Sequence, residues 1–304
     1  RQAARRRQAG RVRVLIAGCG YVGSALASRL VARGDTVYGL RRSVAKLPEG
    51  VLGIAADLSD PSTLAGLPEV DALVYCAAAD GRTRESYEAA YLRGLLNVLG
   101  ALDPDRLVRA VFTSSTAVYA QEDGSVVDEQ SVTEPASFSG EILLEAERSW
   151  HQQLGPRGVV LRLAGIYGPT RTRLVRTVAD GTAAPSDTRF TNRIHVDDCA
   201  GALAHLLTLP APEPTYLGVD HDQAPLTDVM AFIAEQVKAP WPPALAAAPE
   251  PSEGARVTRR SEGNNKRCSN ARLVGSGYAF ADPSYREGYP AICAEYLASL
   301  RDGG

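Results

Sequence analysis

The sequence lacks the features that mark disulfide-rich, membrane-spanning and nucleic-acid-binding proteins. Its 304 residues hold only five cysteines, scattered without metal-ligand spacing, so we expect reduced structural thiols and no metal site. No apolar run approaches the roughly twenty residues needed to cross a bilayer. The formal net charge of −2 provides no electrostatic reason to expect nucleic acid or a membrane surface as a partner. What remains is a chain long enough to bury a substantial core, in one large domain or two lobes.

A basic cluster at the start of the chain is the exception to this charge balance. It consists of Arg1, Arg5, Arg6, Arg7 and Arg11. We interpret residues 1–10 as a disordered basic tail, because this stretch lies ahead of the first predicted strand. The tail leads into a predicted strand and not into an apolar segment with a cleavage site, so we expect no signal peptide and a cytoplasmic protein.

Three glycines carry the first functional signal. Gly18, Gly20 and Gly23 follow an apolar run at 12–17 and precede a helical pattern at 25–32. In this spacing the first glycine allows a sharp turn, the second lets the backbone approach a pyrophosphate, and the third lets helix and strand pack closely. The helix then directs free N–H groups at the phosphates. We predict a dinucleotide-binding loop that includes Tyr21 and Val22; the alternative is that the glycines only turn the chain.

The end of the second predicted strand indicates which dinucleotide to expect. An NAD-binding unit usually has Asp or Glu here to bind the ribose 2'-hydroxyl. This chain has Arg41 and Arg42 after the strand at 36–40. Guanidinium groups suit a 2'-phosphate, which they can grip bidentately. We therefore expect NADP(H) in preference to NAD(H); the alternative is that the arginines are solvated surface charges.

Alternation of predicted strands and helices indicates the fold class. Strands are predicted at 51–56, 70–76, 109–113, 159–163 and 215–219, and helices at 86–102, 141–154, 196–209 and 226–237, the last with Thr227 or Asp228 as N-cap. This order predicts an α/β fold, a Rossmann-type doubly wound parallel sheet with a smaller C-terminal substrate lobe. Residues 239–265 are rich in Pro, Ala and charge, and we expect a long loop there.

Together these segments resemble the extended short-chain dehydrogenase/reductase family, the NAD(P)-dependent epimerases and dehydratases of nucleotide sugars. The resemblance implies that Asp57 and Leu58 lie near the adenine, and that further cofactor contacts come from Ala77, Ala78, Ala79, Ile166 and Tyr167. It implies a cofactor domain of residues 11–168 with 194–222, and a substrate lobe of residues 169–193 with 223–304. A homodimer is compatible with the same resemblance.

The resemblance also indicates where the catalytic groups of the family would lie. Relatives use a Tyr-x-x-x-Lys pair on a helix, and the corresponding positions here are Ser139 and Leu143. Residues 138–147, 264–273 and 283–289 resemble an atypical bacterial branch of the family that lacks this pair. Ser115 falls at the position that orients the substrate oxygen. Tyr119 is either a substitute proton-transfer group or a structural tyrosine, and Ser139 is either helix-start chemistry or a catalytic acid.

Three further groups have structural and functional interpretations. His195 with Asp197 and Asp198 suggests a metal or acid–base cluster, but no third ligand is spaced to join them, so structural pairing or cleft lining is favoured. Cys19 is interpreted as a small residue in a tight turn. Lys266, Arg267 and Arg272 either meet an anionic substrate or form a solvated face.

Two functions follow from these observations. The first is an NADP(H)-binding oxidoreductase or epimerase-like enzyme that acts on a small polar metabolite, with candidate catalytic residues Ser115, Tyr119 and Ser139. The alternative is a non-catalytic NADP(H)-binding redox sensor or regulatory protein, because the cofactor residues are present while the Tyr-Lys pair is missing.

Overall fold

The computed structural model describes residues 11–183, 189–243 and 265–302. The predicted basic tail at 1–10 and most of the predicted loop at 239–265 lie outside these residues. The strands are β1 (Arg13–Ala17), β2 (Thr36–Arg41), β3 (Leu52–Ala55), β4 (Ala72–Tyr75), β5 (Arg109–Ser115), β6 (Val126–Val127), β7 (Gly158–Leu163), β8 (Gly165–Tyr167), β9 (Arg193–His195), β10 (Thr215–Gly218) and β11 (Arg267–Cys268). The α-helices are α1 (Tyr21–Arg33), α2 (Arg84–Glu88), α3 (Gly94–Ala101), α4 (Phe138–Leu154), α5 (Arg173–Ala179), α6 (Val196–Thr208), α7 (Leu226–Val237), α8 (Ala271–Gly275) and α9 (Tyr285–Asp302).

Seven parallel strands form the central sheet in the order β10-β7-β5-β4-β1-β2-β3. The chain runs outward from β1 in one direction through β2 and β3, then crosses to β4 on the other side. The strand order therefore switches at β1, and the carboxyl ends beside it border the crevice in which open α/β sheets bind ligands. The predicted doubly wound parallel sheet is confirmed.

Helices cover both faces of this sheet, which explains the continuous apolar runs of its strands. Val14, Leu15, Ile16 and Ala17 of β1 are fully buried. Residues from α4, including Trp150, pack on one face, and residues from α1 and α6 pack on the other. Burial of these large apolar side chains, at about 25 cal/mol per Å², is the main stabilising contribution.

A third apolar core lies outside the sheet and joins α5, α7 and α9. It contains Val175, Ile233 and Ile292, all of which are buried. Its members come from residues that we assigned to a smaller lobe, apart from Tyr167 at the junction. The exact domain boundaries stay a prediction.

Local contacts move several predicted boundaries. The helix predicted at 86–102 is interrupted by a π-helical turn, Ala89–Arg93, between α2 and α3. The Tyr75 hydroxyl donates to the Ala90 carbonyl within this turn, and a side chain that bonds to a helical carbonyl favours such a break. Helix α4 begins earlier than predicted, because the Ser137 hydroxyl accepts from Gly140 N–H as its N-cap. The N-cap predicted at Thr227 or Asp228 is wrong, since α7 already begins at Leu226, after Pro225.

Candidate functional site

A cavity of about 580 Å³ opens at the carboxyl edge of the sheet, where β1, β2, β3 and β4 end. Nine of the predicted cofactor residues line it: Gly18, Gly20, Tyr21, Arg41, Arg42, Asp57, Leu58, Ala77 and Ala78. Val22, Gly23 and Ala79 adjoin these residues in the chain without lining the cavity. Polar residues that the sequence analysis did not single out also line it, among them Ser43, Ser59, Asp80, Thr83 and Arg93.

The three glycines of the loop between β1 and α1 differ in how closely the surrounding backbone approaches them. Gly18 has φ +84°, and a Cβ placed there would lie 2.4 Å from the Ala77 Cα. A Cβ on Gly23 would lie 2.9 Å from the Gly18 carbonyl oxygen. The nearest atom to a Cβ on Gly20, by contrast, is 3.9 Å away. Gly18 and Gly23 therefore permit the turn and the close packing, and Gly20 leaves open space beside the cavity.

Helix α1 presents unbonded donors at this loop. Its hydrogen bonds begin with Ser24 N–H, which donates to the Gly20 carbonyl at 2.8 Å. The N–H groups of Tyr21, Val22 and Gly23 consequently have no acceptor within the helix. Gly20 is the N-cap, and no side chain caps the helix there. This helix start suits a phosphate or pyrophosphate group.

The two arginines at the end of β2 have different partners. Arg41 Nη1 donates to the Cys19 carbonyl at 3.2 Å, which ties the end of β2 to the glycine loop. Arg42 donates both Nη1 and Nη2 to the carboxylate of Asp80, at 2.7 and 2.6 Å. Asp80 raises the pKa of Arg42 through these hydrogen bonds. Both members of the pair are exposed and line the cavity, so the pair is accessible to an entering anion.

Asp57 follows β3 and lies on the same edge. Its Oδ1 accepts from the hydroxyl and the backbone N–H of Ser59, at 2.7 and 2.9 Å. These hydrogen bonds to Ser59 lower the pKa of Asp57. Asp57 is therefore a negative group beside Arg42, and its predicted place near an adenine is compatible with its position in the cavity lining.

Ser115 ends β5, two strands from β1 on the same edge of the sheet. Its hydroxyl oxygen accepts from Ala117 N–H at 3.1 Å and caps the short 3-10 helix Thr116–Val118. The hydroxyl is half-buried and remains able to donate its own proton. The side chain is thus held in place but does not line the cavity that contains the glycines.

The surroundings of Tyr119 favour the structural interpretation of this residue. Its side chain is 1% exposed, its hydroxyl donates to the Asp128 carbonyl at 2.7 Å, and it accepts from Arg162 at 2.6 Å. Burial raises the pKa of Tyr119 to about 12, although Arg162 lowers it in part. A buried phenol with both hydrogen-bonding roles filled is poorly placed to transfer protons to a ligand.

The positions that correspond to the Tyr-x-x-x-Lys pair lie on the first turns of α4. Ser139 is half-buried, and its hydroxyl lies 2.9 Å from that of the N-cap residue Ser137. Leu143 is 4% exposed and packs in the core beneath the sheet. The contacts of Ser139 are those of a helix start, and Leu143 has no ionisable group.

Asp282 lies beside His195 and Asp197, for which the sequence spacing indicated no further ligand. Its Oδ2 lies 2.9 Å from His195 Nδ1, and Asp197 Oδ2 lies 3.7 Å from the same nitrogen. These three residues could together offer three ligand atoms to a metal ion. Asp198 accepts from the N–H groups of Ala281 and Asp282 at 2.8 and 2.9 Å. The cluster therefore attaches segment 281–282 to the start of α6, in agreement with structural pairing.

The predicted anionic-substrate residues near 266 are engaged in structural contacts. Lys266 is 1% exposed and donates to the Tyr119 carbonyl at 3.0 Å. Arg267 donates to the Gly124 carbonyl at 2.8 Å, and Arg272 donates to the Thr215 carbonyl at 3.0 Å. Cys19 is fully buried, and burial raises the pKa of its thiol, which fits a small inert residue. In the described part of the chain, no helix combines the length and apolarity needed to cross a bilayer.

Ile166 and Tyr167 line a different cavity from the other predicted cofactor residues. That cavity, of about 710 Å³, lies between the loop after β8, helix α5 and Tyr289 of α9. Tyr21 links the two regions, because its hydroxyl donates to the Pro169 carbonyl at 2.7 Å. The loop that follows β8 is thus bonded to the residue directly after Gly20.

Comparison with known proteins gives consistent matches. The sequence model of the NAD dependent epimerase/dehydratase family matches residues 14–217. Protein YeeZ of Escherichia coli (strain K12) is 32% identical over 207 residues, which are 65% of this chain and 74% of YeeZ. A structure from Methylobacillus flagellatus, described as an NAD-dependent epimerase/dehydratase, is 36% identical, covers 96% of this chain and 100% of its own, and superposes with a TM-score of 0.78.

More distant structures share the fold. UDP-glucose 4-epimerase of Thermotoga maritima, solved with UDP-glucose, superposes with a TM-score of 0.80 at 15% identity and covers 95% of this chain and 99% of its own. UDP-glucose 4-epimerase of Thermus thermophilus, solved with NAD, has a TM-score of 0.72 at 22% identity and covers 94% of this chain and 99% of its own.

Proposed function

The chain belongs to the NAD-dependent epimerase/dehydratase family, and from this premise we propose that it binds NADP(H), in preference to NAD(H), in the cavity that contains the glycine loop. We further propose that it acts as an oxidoreductase or epimerase-like enzyme on a small polar metabolite. The bound nicotinamide would accept or donate hydride. A cytoplasmic location and a homodimer stay predictions.

One observation carries the cofactor proposal: the cavity brings the glycine loop, the free N–H groups of α1 and two arginines to the same edge of the sheet. Gly18 and Gly23 could not carry a Cβ without a contact under 3.0 Å to backbone, whereas Gly20 faces open space. This is the pattern that close approach of a pyrophosphate requires. The residues present therefore fit the cofactor of the family.

The preference for NADP(H) rests on Arg41 and Arg42. A 2'-phosphate on the adenosine ribose would bring two negative charges to a site with two guanidinium groups. Arg42 already forms a bidentate ion pair with Asp80. An exposed pair of this kind is worth roughly 0–1 kcal/mol, so a phosphate can replace the carboxylate at low cost.

A direct test is to titrate the purified protein with NADPH and NADH and follow nicotinamide fluorescence. We expect NADPH to bind about tenfold or more tightly than NADH, and the Arg41→Ala, Arg42→Ala variant to lose that difference, because charge-assisted hydrogen bonds to phosphate are lost. Asp80→Asn removes the competing carboxylate and should strengthen NADPH binding by about twofold to fivefold without changing NADH binding.

A matched control variant distinguishes the loss of contacts to the 2'-phosphate from the loss of positive charge anywhere on the chain. Arg29 and Arg148 are exposed arginines on α1 and α4, and the Arg29→Ala, Arg148→Ala variant removes the same charge elsewhere. Its NADPH affinity should match that of the unmodified chain. Equal affinity of the unmodified chain for the two cofactors would reject the preference, and no binding of either would reject the cofactor site.

Ser115 is the residue that carries the catalytic part of the proposal. Ser115 is held at the carboxyl end of β5 with a donor proton available, so it can orient a substrate oxygen. A substrate group or a water molecule would then have to move the proton, because Tyr119 is buried and the family's Tyr-Lys positions hold Ser139 and Leu143. The same observations favour a second candidate, a non-catalytic NADP(H)-binding redox sensor.

The two candidates differ in whether a metabolite is converted. If the protein is an oxidoreductase, incubation of the NADPH complex with fractionated metabolite extracts should oxidise the cofactor. An epimerase-like enzyme would return the hydride to its product, so its turnover is measured as metabolite conversion by the NADP⁺ complex. Ser115→Ala should then lower the turnover rate about a hundredfold, because the substrate oxygen is no longer oriented. The NADPH affinity of this variant should be nearly unchanged. Absence of both cofactor oxidation and metabolite conversion with every fraction, with tight binding intact, would favour the sensor.

A further inference from the structure

The π-helical turn Ala89–Arg93 lines the cavity that contains the glycine loop, which we name the cofactor cavity. Ala89, Ala90 and Arg93 all belong to its lining. The apolar side chains of α3, directly after the turn, pack on one face of the sheet, whereas those of α1 pack on the other face. The turn and the start of α1 therefore bound the cofactor cavity from opposite sides of the sheet. Such π-helical turns occur frequently at functional sites.

Two tyrosines hold the π-helical turn against the end of β4. Tyr75, the last residue of β4, is fully buried, and its hydroxyl donates to the Ala90 carbonyl. Tyr91 belongs to the turn and forms a hydrogen bond with the backbone of Ala79, in the loop that follows β4. Burial raises the pKa of Tyr91 to about 12, although this hydrogen bond lowers it in part. The neutral phenols thus fix the turn at the carboxyl edge of the sheet.

The segment after β3 packs closely against the same helix. A Cβ on Gly94 would lie 3.1 Å from the Leu58 Cβ, and Asn97 Nδ2 donates to the Leu58 carbonyl at 2.9 Å. Leu58 also lines the cofactor cavity. Small or apolar side chains therefore meet at this part of the lining, which we name the apolar end: Ala56, Leu58, Ala89 and Ala90. Such a surface suits a flat, weakly polar ring better than a phosphate.

Arg93 adds a guanidinium to the apolar end. Its side chain is exposed, and neither an ion pair nor a side-chain hydrogen bond joins it to another described residue. Arg41 and Arg42, by contrast, already bond to the Cys19 carbonyl and to Asp80. Of these three arginines in the lining, Arg93 is thus the one whose guanidinium is available without breaking a contact to the described part of the fold.

The layout of the cofactor cavity indicates which part of a dinucleotide would reach Arg93. The start of α1 offers its free N–H groups to a pyrophosphate, and the end of β2 faces the 2' position of the adenosine ribose. From the ribose, the base would continue away from α1 to the apolar end. We infer that Arg93 binds the adenine base there by stacking its guanidinium plane on the ring. This inference deepens the proposed function and rests on it for the presence of the cofactor.

Stacking fits the chemistry of this position better than an ion pair does. A guanidinium is planar and weakly hydrated, so it can lie flat on a purine ring. The apolar end offers the other surfaces of the ring a contact that excludes water. A lysine at the same position would carry the charge without the plane, and a phenylalanine would carry the plane without the charge. The two substitutions therefore separate stacking on the base from attraction to a phosphate.

The test is titration of the full chain with NADPH and with NADH, followed by nicotinamide fluorescence. Arg93→Ala should weaken the binding of both cofactors by the same factor, about tenfold, because both contain adenine. Its resistance to urea should match that of the unmodified chain, since the exposed side chain contributes little to stability. A loss confined to NADPH would place Arg93 at the 2'-phosphate and overturn the inference.

Two further variants test the stacking itself. Arg93→Phe should keep its NADPH affinity within about threefold of the unmodified chain, because an aromatic ring stacks on a base without a charge. Arg93→Lys should bind NADPH about fivefold or more weakly, although it keeps the charge. The opposite order, with tight binding by the lysine variant and weak binding by the phenylalanine variant, would contradict stacking.

A matched control and the unmodified chain separate this inference from the proposed function. Arg148→Ala removes an exposed arginine from α4, outside the cofactor cavity, and should bind both cofactors as the unmodified chain does. Tight NADPH binding that Arg93→Ala retains in full would reject the role of Arg93 and leave the cofactor site standing. Failure of the unmodified chain to bind either cofactor would reject the proposed function and this inference together.

Discussion

At the scale of single residues, Gly18 and Gly20 of the glycine loop differ in whether the folded backbone requires a glycine. Gly18 combines a positive φ with a backbone contact that a Cβ would violate, so it is required by the folded chain itself. Gly20 has neither constraint, and it lines the cavity. The same sequence motif therefore contains one residue that the turn itself requires and another that the folded backbone does not require and that lines the cavity.

This distinction predicts opposite outcomes for two alanine variants. Gly18→Ala should lower the unfolding free energy by roughly 2 kcal/mol or more, because positive φ and a backbone clash both oppose it. Gly20→Ala should change stability by less than about 1 kcal/mol and weaken NADPH binding about tenfold or more. Urea unfolding and NADPH titration measure the two effects. Gly100→Ala, at a helical glycine with open space around it, is the control: it should leave NADPH binding unchanged and should not lower the unfolding free energy, since alanine favours a helix over glycine by up to about 1 kcal/mol.

At the scale of elements, a buried ion pair fastens α4 to β7. Glu147 and Arg162 are 3% and 6% exposed and share three hydrogen bonds, the shortest 2.6 Å between Arg162 Nη2 and Glu147 Oε2. Ser114 donates to Glu147 at 2.5 Å, which extends the network to β5, and Arg162 extends it to Tyr119. The network thereby holds the strand end that carries Ser115 and explains why Tyr119 is structural.

Breaking only one side of this pair should be costly. Glu147→Leu leaves a buried guanidinium without its carboxylate, and we expect a loss of about 3–5 kcal/mol of unfolding free energy. The double variant Glu147→Leu, Arg162→Met should recover much of that loss, because it removes both charges. Exposed Glu145→Leu on the same helix should stay within about 0.5 kcal/mol of the unmodified chain. Strictly additive losses in a urea-unfolding double-mutant cycle would contradict the coupling.

At the scale of the whole molecule, a buried acid lies where the sheet meets the smaller lobe. Asp220 follows β10 and is fully buried; among the described residues, its Oδ2 has no hydrogen-bond partner. Burial raises its pKa to about 8, and the charge of Arg193 lowers it only in part. The folded chain therefore holds Asp220 protonated near neutral pH, whereas the unfolded chain releases that proton above a pH of about 4.

Asp220 should consequently make stability fall as pH rises. Its contribution is fully present below the unfolded pKa near 4 and is lost progressively as pH approaches 8, because only the unfolded chain gains from deprotonation in that window. Asp220→Asn removes this titration, and the difference in unfolding free energy between pH 5 and pH 8 should shrink by at least about 1 kcal/mol. Urea unfolding at both pH values is the measurement. An unchanged difference would show that Asp220 is ionised in the folded chain, and exposed Asp180→Asn provides the control.

Much of the fold could be predicted from local pattern. The apolar runs of β1, β4, β5 and β7, the spacing of Gly18, Gly20 and Gly23, and the helical periodicity of α1 and α7 each depend on residues within one element. Boundaries were less predictable where a distant side chain intervenes, as Tyr75 does in the π turn between α2 and α3. The N-cap of α4 was missed although Ser137 stands in the sequence, because several serines precede that helix and only the backbone geometry selects one of them.

The site was predictable to the extent that its residues follow strand ends. Arg41, Asp57 and Ala77 meet because parallel strands present their carboxyl ends at one edge. Asp80 was missed, since its side chain follows β4 by several residues and its pairing with Arg42 depends on the strand order. Asp282 was missed for a similar reason: it reaches His195 from a segment far along the chain.

The sequence by itself determined the parallel sheet, the glycine loop between β1 and α1 and the presence of basic residues at the end of β2, because periodicity and turn chemistry act between near neighbours. Tertiary structure decided that Arg42 is paired with Asp80, that Tyr119 and Lys266 are buried, and that Arg173 and Arg176 line a cavity whose described lining has no carboxylates. The physical reason is that burial and charge pairing depend on which remote segments pack together. That outcome is set by the order of the strands and the docking of the smaller lobe, and not by any one stretch of chain.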